Sequence, residues 1–308
     1  MKGRLLKTNY CQTALGIVND RAVRILRLTL RLAFSLIVIL PIMEFTANVA
    51  AAQSTEAEVS ARLVGKPLYL RGFWGEDKLA FDAAGQPVEH YPRLSFTESG
   101  FDASKVEIHG DHMRIEGQRV GLAFDQSGSY KRLKLITRRT FKAKPEPELM
   151  ILEIDGHGGQ DFSRALDAIF AGSLEDLVPS LPEYWQEYAQ THFLHSTNLA
   201  GGSAETLDRS HAKSSKSDGS VKPPKLIKNV DPRFTESARQ MRLSGSTEVY
   251  LWLSEDGMPS HLKVVRPIGL GLDEESIAAV SQYRFAPATK DGKPVKVDLY
   301  INVNYGIF

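Results

Sequence analysis

Two segments of this chain carry histidine and aspartate residues at spacings that could bind a metal ion or a phosphate. His109, Asp111 and His112 flank a Gly-Asp turn, and zinc accepts imidazole and carboxylate ligands. These residues straddle the turn, so their side chains need not converge, and no further ligand lies at a convincing spacing. We interpret this segment as a surface turn and predict no metal ion and no cofactor.

The second segment, Asp155–Asp161, is a glycine-rich loop that follows a predicted strand. It lacks the Lys and the Ser or Thr of a P-loop, so we interpret it as a strand-to-helix connection with Asp161 as the helix N-cap. The serine-rich segment Ser196–Pro224 has no nucleophile-elbow motif, and no nucleophile–base pair stands out elsewhere. The sequence therefore predicts a protein without enzymatic activity. An enzymatic N-terminal domain is the alternative that we disfavour.

The composition is that of an ordinary globular protein. The chain has 308 residues, 42% hydrophobic and 24% charged, with a formal net charge of +1, and this length favours two domains. Removing the basic segment before Gln53 leaves 31 basic and 35 acidic residues, a net charge of −4. A mildly acidic chain without a basic stripe argues against nucleic acid as a partner.

The N-terminus carries a targeting segment. Four arginines between positions 21 and 31 lead into the apolar run Leu32–Met43, and Ala50–Ala52 precede Gln53. This order predicts a signal peptide over residues 1–52 that is cleaved after Ala52. The alternative is an uncleaved inner-membrane anchor at about Leu30–Val49. Both readings export the remaining chain to the periplasm.

The first exported part, residues 64–195, is predicted to be rich in β-strands. Short apolar runs up to Asp155 alternate with turn residues at Gly110-Asp111 and Gly117-Gln118, which favours a meander in a sandwich or small barrel. Two helices, at about 161–171 and 182–191, should follow the strands. We expect the three tryptophans of the chain to be core or edge aromatics rather than a ligand cage. Residues 196–224, rich in Ser, Gly, Lys and Asp, are predicted to be a flexible linker.

The last part, residues 225–308, reads as helix, strand, strand, helix, strand. Asp231 and Pro232 suit the start of the first helix, and Asp273 suits the N-cap of the second. Glu255-Asp256-Gly257 favours a hairpin turn between the first two strands. This order predicts an α+β fold, in which a three-stranded antiparallel sheet carries two helices on one side.

The final strand has the strongest periodicity of the chain. Every second residue from Val295 to Val303 is apolar, whereas the residues between them are polar or aromatic. Alternation of this length predicts one buried and one wet face.

Several spaced motifs make this last part similar to the TonB C-terminal family. The similarity lies in the following segments, in this order: Gly245 and the alternating strand, Asp256-Gly257, the Gly269–Asp273 loop, Ala278-Ala279-Val280, Tyr283-Arg284-Phe285-x-Pro287-Ala288, and Gly292-x-Pro294-Val295 with the terminal strand. The family usually has Tyr-Pro near the start of the first helix, where this chain has Phe234-Thr235. The aromatic residue is kept and the proline is lost.

The resemblance implies that the last strand binds a short extended peptide of an outer-membrane transporter along its free edge. Carried onto this sequence, the pairing residues are Val297, Asp298, Leu299, Tyr300, Ile301, Asn302, Val303 and Asn304. The family-motif residues with structural roles are Asp273, Arg284, Phe285, Pro287, Gly292 and Pro294.

Two alternatives remain for the wider role of the protein. One is a TonB-like energy transducer, which in this family couples to inner-membrane proton-driven motor proteins through an anchor that usually contains a histidine. Residues 32–52 contain no histidine, and the linker composition is flexible rather than stiff. The other alternative is a non-transducing envelope-associated binding or scaffold protein, whose β-rich domain docks on peptidoglycan or an envelope protein. A homodimer stays open in both cases.

Overall fold

The computed structural model describes residues 55–138, 143–194 and 221–307. The predicted signal or anchor segment, and the predicted linker up to residue 220, lie outside the described residues. Within the described ranges, no helix has the length and apolar character needed to cross a membrane. The α+β class predicted from the sequence is confirmed.

Five helices and seventeen strands are described. The helices are α1 Glu56–Leu63, α2 Ser163–Ile169, α3 Glu183–His192, α4 Glu236–Gln240 and α5 Leu272–Val280. The strands of the first part are β1 Leu68–Leu70, β2 Lys78–Phe81, β3 Gly100–His109, β4 His112–Phe124, β5 Tyr130–Lys134, β6 Ile136–Thr137, β7 Glu146–Pro147, β8 Leu149–Asp155 and β9 Phe170–Ala171. Those of the last part are β10 Val221–Lys222, β11 Lys225–Lys228, β12 Gly245–Leu253, β13 Pro259–Arg266, β14 Arg284–Ala286, β15 Ala288–Lys290, β16 Lys293–Val295 and β17 Val297–Tyr305.

The first part is built on one mixed sheet rather than on a sandwich or barrel. Its strand order is β2-β8-β4-β3-β1-β9, with β5 also paired to β4. The first half of β4 pairs with β8 and its second half with β5, while β2 runs parallel to β8. Among the described strands no pairing joins β2 to β9, so the sheet stays open. The predicted sandwich or small barrel is therefore wrong.

A long hairpin of β3 and β4 replaces the predicted meander of short strands. The turn at Gly110-Asp111 forms as predicted, but Gly117-Gln118 lies inside β4 instead of in a turn. Gly117 is needed there for space, because a Cβ at this position would lie 2.4 Å from the ring of Phe101. A glycine inside a strand can thus mark close packing rather than a turn.

Two helices pack on the first sheet, α2 with aliphatic and α3 with aromatic side chains. The N-cap of helix α2 is Phe162 rather than the predicted Asp161, although the Asp161 carboxylate accepts a hydrogen bond from the backbone N–H of Ser163. Helix α3 begins after Pro182, close to the predicted position. Trp185 of α3 is fully buried and packs edge-to-face on Phe96 at 4.8 Å. For Trp185, the expectation of a core tryptophan holds.

The last part contains a three-stranded antiparallel sheet in the order β13-β12-β17. Residues Val249, Leu251 and Leu253 of β12 are fully buried, and the residues between them are half-buried, as their alternation predicts. Smaller ladders pair β10 with β15 and β11 with β14. Val221 and Lys222, the described residues of the predicted linker that are not loop, form strand β10.

The first helix of this part is shorter than predicted. Helix α4 begins after Thr235, whose Oγ1 accepts a hydrogen bond from the backbone N–H of Ala238, so Asp231 is not its N-cap. The second helix, α5, begins after Gly271, which adopts a left-handed backbone conformation (φ 75°). Asp273 therefore lies in the first turn of α5 rather than before it.

The two parts pack against each other through shared apolar clusters. Val264 of β13 belongs to the cluster that holds Trp185 and Tyr188 of α3. Leu135, which follows β5, belongs to the cluster formed by the sheet and helices of the last part. The sheet of the last part is thereby fixed on the first part.

Candidate functional site

Strand β17 lies at one edge of its sheet. Nine consecutive residue pairs join it to β12, from Leu253↔Val297 to Gly245↔Tyr305, without a bulge. No other strand in the described part of the chain pairs with β17. In an antiparallel ladder, the N–H and C=O groups of alternate residues point away from the partner strand. Along β17 these outward groups form a regular row of donors and acceptors.

The inner face of β17 holds the strand on the core. Val303 and Tyr305 are buried, and Val297, Leu299 and Ile301 pack against the same cluster. The hydroxyl of Tyr305 lies 2.8 Å from Ser276 Oγ and 2.8 Å from the carbonyl oxygen of Leu272, both in α5. The edge strand is thus tied by its C-terminal residue to a helix, which limits its movement away from the sheet.

The outer face of the sheet carries a patch of aromatic side chains. Tyr250 of β12 packs edge-to-face on Tyr300 of β17, with ring centroids 5.2 Å apart. Trp252 of β12 donates a hydrogen bond of 2.8 Å from Nε1 to Tyr250 Oη, and the Lys296 ammonium lies 3.5 Å from the centre of its ring. Trp252 therefore lies on the outer face rather than in a core. Rings of this kind offer apolar area beside the edge of β17.

The opposite edge of the sheet contacts the first part of the chain. Strand β13 packs against α3, where Val264 joins the aromatic cluster and Lys263 forms an ion pair with Glu187. The two edges of the sheet therefore differ in environment. In the described structure, β13 is the edge strand with a helix of the first part packed beside it, and β17 is the edge strand without one.

Asp273 organises the loop that precedes α5. Its carboxylate accepts hydrogen bonds from Thr247 Oγ1 at 2.6 Å, from the N–H of Ile268 at 2.9 Å and from the N–H of Gly269 at 2.7 Å. The side chain is fully buried, and burial raises its pKa to about 6 although these donors oppose the shift. The residue ties β12 to the loop, a role that its position before a predicted helix did not reveal.

The other family-motif residues lie around the small strands that precede β17. Phe285 is buried in the core of the last part, and Arg284 donates a hydrogen bond to the carbonyl oxygen of Tyr283. Gly292 occupies the predicted turn, with a φ of 81°. Pro287 separates β14 from β15, and Pro294 lies in β16. These residues lie outside the edge of β17.

A second group of polar residues, which the sequence analysis missed, joins the two parts of the chain. Glu274 Oε1 accepts hydrogen bonds of 2.8 Å from Ser95 Oγ and from Trp185 Nε1. Its Oε2 is shielded from solvent and has no hydrogen-bond partner among the described residues, although other atoms of Glu274 remain partly exposed. Burial, with Asp273 beside it, raises the pKa of Glu274 to about 7. A carboxyl group is thus enclosed where the parts meet.

The backbones of the two parts also meet directly. The N–H of Leu270 donates to the carbonyl oxygen of Leu122 at 3.1 Å, and the N–H of Phe124 donates to that of Ile268 at 3.0 Å. Gly269 lies between them with a φ of 95°, and a Cβ on it would lie 2.0 Å from the carbonyl oxygen of Leu122. The sequence did give one signal of this contact, since residues 120–124 form a nearly continuous apolar run that interrupts the alternation of β4.

Two side chains of the histidine-containing turn, which we interpret from its sequence as a surface turn, meet a carboxylate from a distant segment. Asp111 and His112 come together with Asp155 at the end of β8. His112 and Asp155 are directly opposite each other in the β4–β8 ladder, a pairing that the sequence could not supply. His109 is not part of this group.

Comparison with known proteins supports the family resemblance of the last part. Residues 230–307 match the family described as Gram-negative bacterial TonB protein C-terminal. Over 85 residues, the chain is 27% identical to Protein TonB of Vibrio cholerae, an alignment that covers 27% of this chain and 35% of that protein. The resemblance predicted from the spaced motifs is confirmed for these residues, and the chain spans about a third of the length of this relative.

Proposed function

We propose that this chain is a TonB-like periplasmic protein that binds an extended peptide of an outer-membrane transporter. The peptide adds a strand to the β13-β12-β17 sheet along Val297–Asn304. The observation that carries the proposal is the position of β17 at the edge of its sheet, with its inner face anchored. An added strand satisfies the outward N–H and C=O groups of an edge strand.

The contact between α3 and β13 supports the choice of β17. A peptide strand that joins the sheet needs an edge strand whose outward N–H and C=O groups are accessible. Helix α3 packs beside β13 at the opposite edge. We therefore expect one peptide per chain, at the β17 edge.

Backbone pairing alone gives modest affinity. Five inter-strand hydrogen bonds at about 0.5–1.5 kcal/mol each amount to a few kcal/mol before ordering costs, whereas micromolar binding needs about 8 kcal/mol. Side-chain contacts must supply the difference. Tyr300, with the exposed Asn302 and Asn304, presents the polar and aromatic surface next to the edge.

Selective N-methylation of the peptide tests the pairing. Alternate residues of a paired strand direct their N–H groups at the neighbouring strand. Two versions of a peptide from the N-terminal periplasmic segment of an outer-membrane transporter are compared, each methylated on one alternate set of backbone nitrogens. We expect one version to bind the protein at least about tenfold more weakly than the other by calorimetry, because it loses two or three hydrogen bonds.

The two methylated peptides control for each other. They have the same side chains and the same number of methyl groups, so hydrophobicity and chain stiffening are matched. Equal affinities for the two versions would contradict strand pairing. If the unmodified transporter peptides do not bind, the alternative of an envelope scaffold that uses the same module is favoured.

We also propose that the chain is released into the periplasm by cleavage after Ala52. Mass spectrometry of the protein isolated from its host measures the mature N-terminus, and we expect it at Gln53. A retained Met1 would contradict cleavage. It would favour an inner-membrane anchor and coupling to a proton-driven motor.

A further inference from the structure

We propose that the turn between β3 and β4 binds a divalent cation of the zinc class together with the end of β8. The ligands are Asp111, His112, Asp155 and His157. The site lies in the first part of the chain, far along the sequence from the peptide-binding edge, and is independent of the function proposed above. Its role would be to join two loops of the N-terminal sheet.

The sheet register brings two of the four ligands together, and the adjoining loops supply the other two. His112 begins β4 and Asp155 ends β8, and their Cα atoms are directly paired in the antiparallel ladder. Asp111 precedes His112 in the turn, and His157 follows Asp155 by two residues. Two imidazoles and two carboxylates thus lie at one end of the sheet, on two loops that are distant in sequence.

The separations between ligand atoms are close to those of a zinc site. His112 Nε2 lies 3.4 Å from Asp111 Oδ1, and His112 Nδ1 lies 3.9 Å from Asp155 Oδ1. His157 Nδ1 lies 3.7 Å from Asp155 Oδ1. One ring nitrogen of His112 and one oxygen of each aspartate lie within 4.8 Å of one another. Tetrahedral zinc with bonds of about 2.0–2.2 Å places its ligand atoms about 3.3–3.6 Å apart. Only one ring nitrogen of His112 can bind the ion, so its ring and the His157 side chain must rotate to complete the set.

Backbone hydrogen bonds hold both carboxylates in place. Asp111 Oδ2 accepts a bond of 2.8 Å from the N–H of Gly158. Asp155 Oδ1 accepts a bond of 2.8 Å from the N–H of His157. The backbone N–H of Gly156 also donates to the carbonyl oxygen of Asp111 at 2.7 Å. These bonds leave the other lone pairs of the carboxylates available to a cation.

The local charge favours a cation. No lysine or arginine forms an ion pair with Asp111 or Asp155 in the described ranges, where their ionic contacts are to histidines. The nearest arginine along β4, Arg114, is paired with Glu116 and Glu153 instead. With neutral histidines the group carries two negative charges, and a divalent cation balances them.

The ligand types select the metal class. Calcium and magnesium prefer oxygen ligands alone, whereas imidazole nitrogen favours zinc and related transition metals. Two histidines with two aspartates therefore fit zinc better than the alkaline-earth ions. The side chains of His112 and His157 are 65% and 68% exposed, so an ion can reach them from solvent.

Calorimetric titration with zinc chloride tests the site on the purified protein after chelator treatment. We expect one zinc ion per chain, with low micromolar or tighter affinity, and a zinc-dependent rise in the melting temperature. His112→Ala should weaken zinc binding at least tenfold. His157→Ala should weaken it as well, which tests the fourth ligand separately. Both side chains are exposed, so the variants should keep the unfolding temperature of the metal-free protein.

A histidine outside the group provides the matched control. His90 is exposed on another loop, and His90→Ala should keep the zinc affinity of the unchanged protein. Absence of saturable zinc binding, or zinc binding that survives His112→Ala, would overturn the site. Full affinity in His157→Ala would overturn the four-ligand set.

Discussion

Gly269→Ala is expected to lower the free energy of unfolding by about 2–5 kcal/mol. The residue has a φ of 95°, a conformation that costs an L-residue about 1–2 kcal/mol. Its new methyl group would also lie 2.0 Å from the carbonyl oxygen of Leu122, and such overpacking costs about 1–3 kcal/mol more. Urea titration followed by tryptophan fluorescence measures the change, because Trp185 is buried where the two parts meet.

Gly292→Ala separates the two causes. Gly292 has a φ of 81°, and no atom lies within 4 Å of the place where its Cβ would be. Its substitution should therefore lower the free energy of unfolding only through the unfavourable positive φ, by about 1–2 kcal/mol. If both variants lose the same free energy, the close approach between Gly269 and Leu122 is not present in solution.

Glu274→Gln should remove a large part of the pH dependence of stability. The pKa of Glu274 is raised from 4.5 to about 7, so the folded protein holds this proton more tightly than the unfolded chain does. The contribution of this carboxyl group to the free energy of unfolding should therefore be largest below pH 4.5. It should fall as the pH rises towards 7 and then level off. The shift corresponds to about 3 kcal/mol, and a glutamine, which cannot ionise, should flatten the curve by a similar amount.

Urea titrations between pH 4.5 and pH 8 measure this effect. The pKa of Asp273 is also raised, from 3.8 to about 6. In Glu274→Gln, the free energy of unfolding should therefore still fall with rising pH, but with a smaller slope. Glu275→Gln is the matched control, since Glu275 is the next residue of α5 and forms an ion pair with the exposed Arg233. An unchanged slope in Glu274→Gln would mean that water reaches this carboxylate in solution.

The sequence predicted those elements whose pattern is local. The alternation of β17 distinguishes its buried from its wet residues, and Val303 and Asn304 lie on the sides that it predicts. The turn at Gly292 follows from the left-handed conformation that glycine tolerates. Pairing along the edge of β17 stays a prediction.

Contacts between distant segments were beyond the reach of local patterns. Leu122 and Leu270 meet although nearly half of the chain separates them, and no periodicity encodes that pairing. The same holds for His112 and Asp155, which come together through the register of β4 and β8. Gly117 was misread because a glycine in a turn and a glycine under a phenylalanine ring look alike in a sequence.

The uninterrupted β12–β17 ladder has a mechanical consequence. Its nine residue pairs run in register along the whole of β17. Tension applied along the strand axis would load the hydrogen bonds of this ladder in shear, so that they resist together, whereas a perpendicular pull would open them one after another. A ligand strand lying beside β17 would transmit its load into the body of the protein in the same stiff direction.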